Sequence, residues 1–128
     1  MILDLLLCGE ELTLCRLDPD EAVPEWATGG FVATVKTPEE LSVVCPPARV
    51  PPEAVASSGW RAFRVAGALD LSLTGVLAAL LDPLEQAEIP IFAISSYDTD
   101  YVLVPSERVE EAREALVAAG HRFVAPRG

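Results

Sequence analysis

Ser95, Ser96, Tyr97, Asp98, Thr99 and Asp100 put four hydroxyls and two carboxylates into six consecutive residues. No histidine, cysteine or lysine stands beside them to serve as an activated nucleophile or base. The cluster therefore suits recognition of a small polar solute better than bond making. A carboxylate at Asp98 or Asp100 can pair with an ammonium group or a cationic side chain. It can equally bond a backbone amide nearby, as aspartates in turns commonly do. The ring of Tyr97 can cover an aliphatic or cationic solute, or it can be an ordinary strand residue.

A second group with chemical potential is Ser72, Leu73, Thr74 and Gly75, at the start of the most apolar helix the sequence predicts. Free amides in a first helical turn receive anions, and a glycine there allows close approach. The same residues also read as ordinary capping by Ser72 or Thr74, with Gly75 relieving crowding against a sheet.

Other chemistries find little support. Cys8, Cys15 and Cys45 lie in apolar runs without an adjacent histidine, which reads as buried reduced thiols in a cytoplasmic setting. Their spacing matches no structural zinc pattern, and His121 is remote in sequence, so no metal is expected. His121 follows Gly120 at a helix end, which predicts a terminal structural role for a partial positive charge. No glycine-rich phosphate loop occurs, no cofactor is implied, and the expectation is a protein that is not an enzyme.

The elements that would position these groups follow from hydrophobic periodicity. Residues 2–7 and 12–17 read as two short strands with a turn at Gly9, Glu10 and Glu11. Two further β-rich runs, 31–35 and 41–45, flank a polar break and end at Pro46 and Pro47. Ser57, Ser58 and Gly59 mark the expected internal boundary. Beyond it the pattern predicts a strand at 60–66 and a helix beginning at Leu73 or Thr74, interrupted at Pro83 by a kink or break. Two strands around the polar cluster, a helix over about 108–119 and a last strand at 121–124 complete an order β, α, β, β, α, β.

Composition sets outer bounds. At 51% apolar residues, most of the 128-residue chain should fold. A net charge of −11, with dispersed arginines and a sole lysine, Lys36, repels phosphate backbones and anionic lipid, so neither nucleic acid nor membrane is an expected partner. Residues 1–8 are interrupted by Asp4, carry no positively charged leader and are too short for a signal peptide or a membrane span, and no longer run escapes interruption by Asp70, Asp82, Glu85 or Glu88. The expected location is cytoplasmic.

The segments LSVVCP (41–46), Gly59 with Trp60, DLSLTGV (70–76) and ISSYDTDYVLV (94–104) resemble the tandem ACT domain family. Within it the likeness is to small bacterial two-ACT proteins and the arginine-sensing proteins of animal nutrient signalling. The resemblance implies an α+β fold of two ACT-like, ferredoxin-like βαββαβ units, with antiparallel sheets and helices packed on one face. The units would be residues 1–58, with reduced helices, and residues 59–128. It also implies a non-catalytic sensing or regulatory module that binds a free amino acid or similar small zwitterion at an ACT–ACT interface. The ligand contacts it implies are Ser72, Leu73, Thr74 and Gly75, within the loop at 67–75, and Tyr97, Asp98, Thr99 and Asp100. A homodimer is a further expectation. The alternative is a structural or protein-interaction module that has lost ligand binding.

Overall fold

The computed structural model describes residues 1–125. Residues 126–128 of the expected C-terminal unit lie outside the described residues. The chain forms two compact units, one of Met1–Gly9 with the described residues from Arg61 onward, the other of Glu10–Trp60. The first nine residues thus pack with the C-terminal part of the sequence, whereas the pattern of residues alone keeps 1–58 together. Strands β1 (Asp4–Leu17) and β4 (Val55–Val65) each contribute residues to both units.

In the first unit, β4 is followed by α1 (Val76–Gln86), β5 (Phe92–Ser95), β6 (Asp100–Pro105), α2 (Val109–Ala118) and β7 (Arg122–Phe123). The strands lie in the order β7, β1, β4, β6, β5. This is the α+β, ferredoxin-like arrangement of antiparallel strands and two helices, with β1 pairing in parallel to β7 at Asp4↔Arg122 and Leu5↔Phe123. Alternation along the strands sends Leu3, Leu5, Phe63, Val65, Val102 and Val104 to the face that the helices cover. There they meet Val76, Leu80 and Leu84 of α1, and Val109, Ala112 and Leu116 of α2, at the helical period.

The second unit contains β2 (Ala33–Lys36) and β3 (Leu41–Cys45) with parts of β1 and β4, in the order β2, β3, β1, β4. Its core joins Cys15, Leu41, Val43 and Cys45 to Leu17, Trp26, Ala27 and Val50. Helical structure in this unit is confined to the 3-10 turn Pro47–Arg49.

Two sequence expectations are corrected. The turn at Gly9, Glu10 and Glu11 does not form, because β1 continues through these exposed residues and is paired at both ends, to Arg122 and to Cys45. Ladder bonding at both ends outweighs local turn propensity. Ser57, Ser58 and Gly59, read as an internal boundary, lie inside β4 beside the division of the two units at Trp60 and Arg61, and Gly59 takes a φ of 84°, a local kink open to glycine that lets the strand continue.

The second correction is at Pro83, where of the expected kink or break the break does not occur and α1 runs on to Gln86. Proline has no N–H, so the carbonyl of Ala79 loses its helical donor. His121, 4% exposed, supplies the replacement, with its Nε2 lying 2.8 Å from the Ala79 oxygen. The Leu3 amide donates to Nδ1 of the same ring at 3.1 Å. One imidazole, in the Nε2–H tautomer, thus satisfies two backbone groups from segments far apart in sequence. This is a structural role, but one of donor and acceptor geometry rather than of charge at a helix end.

Cys15 and Cys45 are buried, Cys8 is half-buried, and all three are free thiols. Burial pushes each thiol above its ordinary value of 9.0, and the proximity of Cys45 adds to the effect at Cys15. For Cys8 the charges of Arg64 and Arg61 offset part of it. Above that value the unfolded chain loses thiol protons that the native state keeps, so ν is lower in U than in N and the slope of stability with pH is negative. Denaturant midpoints measured from pH 7 upward should therefore hold until about the ordinary thiol value and then fall, and serine substitution at Cys15 and Cys45 should flatten the decline.

Candidate functional site

The hairpin of β5 and β6 and the loop before α1 build one pocket within the first unit. The strand register Ser95↔Asp100 brings the hairpin to a turn at 96–99, where Tyr97 and Asp98 form the tip. The Ser96 amide donates to the Thr99 carbonyl at 2.9 Å, while the Ser96 hydroxyl reaches the same carbonyl at 3.0 Å and accepts from the Thr99 amide at 3.3 Å. These three bonds between Ser96 and Thr99 close the turn and make its tip a defined platform.

Two bonds tie the platform to the rest of the unit. The Thr99 hydroxyl, in a residue 3% exposed, donates to the Val65 carbonyl at 2.7 Å. The Leu69 amide donates to the Asp98 carbonyl at 2.6 Å. The loop between β4 and α1 is thus held against the hairpin tip. Asp70 shapes that loop by accepting the Ser72 amide at 2.8 Å and the Ser72 hydroxyl at 2.6 Å, bonds that hold its carboxyl below the usual range.

The resulting cavity, about 200 Å³, is lined by Leu69, Asp70, Leu71, Leu73, Val76 and every residue from Ser95 to Asp100. Its volume suits one small solute rather than a polymer or a dinucleotide. Three carboxylates line it and no cationic side chain does, so its electrostatics favour a positive group. Asp100 accepts a 2.6 Å hydrogen bond from the Ser95 hydroxyl across the strand pair. Tyr97 is 79% exposed, and Leu71 and Leu73 are also exposed; Asp70 and Asp98 are exposed beside them and Asp100 is half-buried, so the pocket is an open one with apolar and acidic groups on its rim.

The opposite chemistry enters from α1. Its N-cap is Gly75 in the left-handed conformation, with a φ of 85°, no side chain caps the helix, and no acid occupies its first turn. Val76, the first residue of α1, lines the cavity. The positive end of the helix therefore adjoins the acidic pocket.

Of the residues singled out in the sequence, Leu73, Tyr97, Asp98, Thr99 and Asp100 line this pocket, whereas Ser72, Thr74 and Gly75 do not. Ser72 is bound to Asp70, and Gly75 sets the start of the helix. The Thr99 hydroxyl is committed to Val65. Sequence reasoning passed over Asp70 as a site residue, although the Asp-x-Ser spacing that folds it over Ser72 is a readable turn signal. Among the described residues no group of three or more His, Cys, Asp or Glu side chains is placed to hold a metal ion. No helix among them is long and apolar enough to cross a membrane.

Against known proteins, the family model for the ACT domain matches residues 55–118. A second family model, for an N-terminal domain, matches residues 10–53. Among solved structures, a protein from Agobacterium tumefaciens is 32% identical over 100% of this chain and 96% of its own, with a TM-score of 0.92. A Vibrio cholerae protein described as of unknown function, possible transport protein, is 20% identical over 91% of this chain and 89% of its own, with a TM-score of 0.75. The regulatory subunit of aspartate kinase from Thermus thermophilus, in its ligand-free form, is 15% identical over 94% of this chain and 99% of its own, with a TM-score of 0.65. These last two likenesses are of fold. No curated protein matches the chain.

Proposed function

The chain belongs to the ACT domain family, and from that premise we propose that it is a non-catalytic sensing module whose pocket binds a free amino acid. The observation that carries this reading is the pairing of opposite chemistries at one small cavity. Asp70, Asp98 and Asp100 offer negative charge for an α-ammonium, and the uncapped start of α1 at Val76 offers amides for an α-carboxylate. A zwitterion carries both groups on one carbon. The apolar part of the rim, Leu71, Leu73 and Tyr97, then covers the aliphatic part of its side chain.

The regulatory part of the reading is supported by the fold it shares with a regulatory subunit of aspartate kinase. In the same reading the N-terminal stretch is a second ACT-like unit with reduced helices, the protein acts in the cytoplasm, and a second copy of the chain is its partner. Neither nucleic acid nor membrane enters it. The chemistry is that of binding. Asp70 and Asp100 accept from the Ser72 and Ser95 hydroxyls, and no histidine, cysteine or lysine lines the pocket to activate either one.

Calorimetric titration of the full chain against each proteinogenic amino acid tests the proposal. One or a few should give a saturable heat at up to millimolar concentration, with a rise in melting temperature by mass action. Absence of heat and of thermal shift from all of them would sink it and leave the structural or interaction module.

A further inference from the structure

A second cavity, about 650 Å³, opens elsewhere on the first unit and is lined by Asp4, Leu6, Arg64, Ala66, Gly67, Val124 and Ala125. It shares no residue with the pocket described above. Its position follows from strand alternation. Phe63 and Val65 of β4 and Leu3 and Leu5 near the start of β1 turn toward the helices, so Arg64, Asp4 and Leu6 project to the opposite sheet face. The Val124 amide donates to the Leu5 carbonyl at 2.9 Å and carries the edge of the sheet past β7 to form a wall.

Arg64 is the unexplained group there. Its Nε is buried and has no hydrogen-bond partner among the described residues. The carboxylate in the same cavity, Asp4, is engaged by Arg122 at 2.9 Å. A guanidinium fork needs planar acceptors, and leaving a buried N–H without one is unfavourable. The remaining lining is aliphatic: Leu6, Ala66, Val124 and Ala125. An anionic head with an apolar body satisfies both parts, since the head takes the fork and the body covers the aliphatic wall.

We propose that this cavity is a second ligand site, for a small aliphatic carboxylate held by Arg64. It differs from the amino-acid pocket in charge preference, because here the fixed side chain is a cation.

Hexanoate, hexylammonium and inorganic phosphate, each titrated into the full chain and followed by the amide signals of Leu6, Ala66, Gly67 and Ala125, separate the outcomes. Hexanoate should shift these signals saturably. Arg64→Gln should weaken the response by about tenfold or more, consistent with loss of one charged pair. Leu6→Trp, which narrows the cavity, should weaken it, and Asp100→Asn should leave it unchanged. A fold-preserving Arg64→Gln variant that binds hexanoate as the parent does would overturn the proposal. So would failure of hexanoate to saturate, or phosphate or hexylammonium binding as tightly. Because the Asp100 variant reports on the other pocket, failure of one site is distinguishable from failure of the other.

Discussion

His121→Ala lowers the stability of the protein by about 3–5 kcal/mol, enough to take a large share of a typical folding free energy of about 5–15 kcal/mol. Two losses add. The Ala79 carbonyl and the Leu3 amide both lose a partner, each at a cost of about 1–3 kcal/mol if water cannot replace it, and the vacated ring leaves a void. Urea denaturation measures the change, with the midpoint falling while the slope stays constant. Pro83→Ala supplies the control. Alanine restores an N–H four residues after Ala79, so the imidazole no longer has sole charge of that carbonyl. In a double-mutant cycle the cost of removing His121 should shrink by about 1 kcal/mol in the Pro83→Ala background. Full additivity would mean that the histidine and the proline are unrelated.

On the proposed function, Asp100→Asn should reduce amino-acid binding about tenfold or more, which corresponds to about 1.4 kcal/mol, while the melting temperature moves little. Asparagine keeps an oxygen in place to accept the Ser95 hydroxyl, so the hairpin register at Ser95 and Asp100 is preserved while the charge facing the ammonium is lost. The turn interpretation of the same residue gives the reverse result, a lowered melting temperature with ligand response intact. Calorimetry and a thermal melt on the same sample decide between them.

Both results rest on features that differ in how readable they are from sequence. The amphipathic run that forms α2 was placed within a residue at each end, since Val109, Ala112 and Leu116 recur at the helical period and Gly120 takes the left-handed conformation that ends it. The hairpin around Tyr97 and Asp98 was equally legible, because apolar strands stop where polar turn residues begin. Local signals failed where a distant partner overrides them. Gly9, Glu10 and Glu11 have every mark of a turn, yet partners more than a hundred residues away at one end and some thirty at the other keep β1 extended. Pro83 reads as a helix break, and nothing in its neighbourhood announces that His121 will compensate. The site shows the same division. Residues 97–100 were visible as a cluster, but that Asp70 joins them depends on the Leu69 amide reaching the Asp98 carbonyl, a contact between loops.

The pairing of Asp4 with Arg122 has a temporal consequence. Residues 4 and 5 pair with residues 122 and 123, so the edge of β1 that borders β7 has no neighbour on that side until a stretch 118 residues later is in place. Such long-range closure is slow compared with helix formation. That part of β1 is therefore an apolar strand edge left open on one side until this late closure, exposed meanwhile to pairing with other chains.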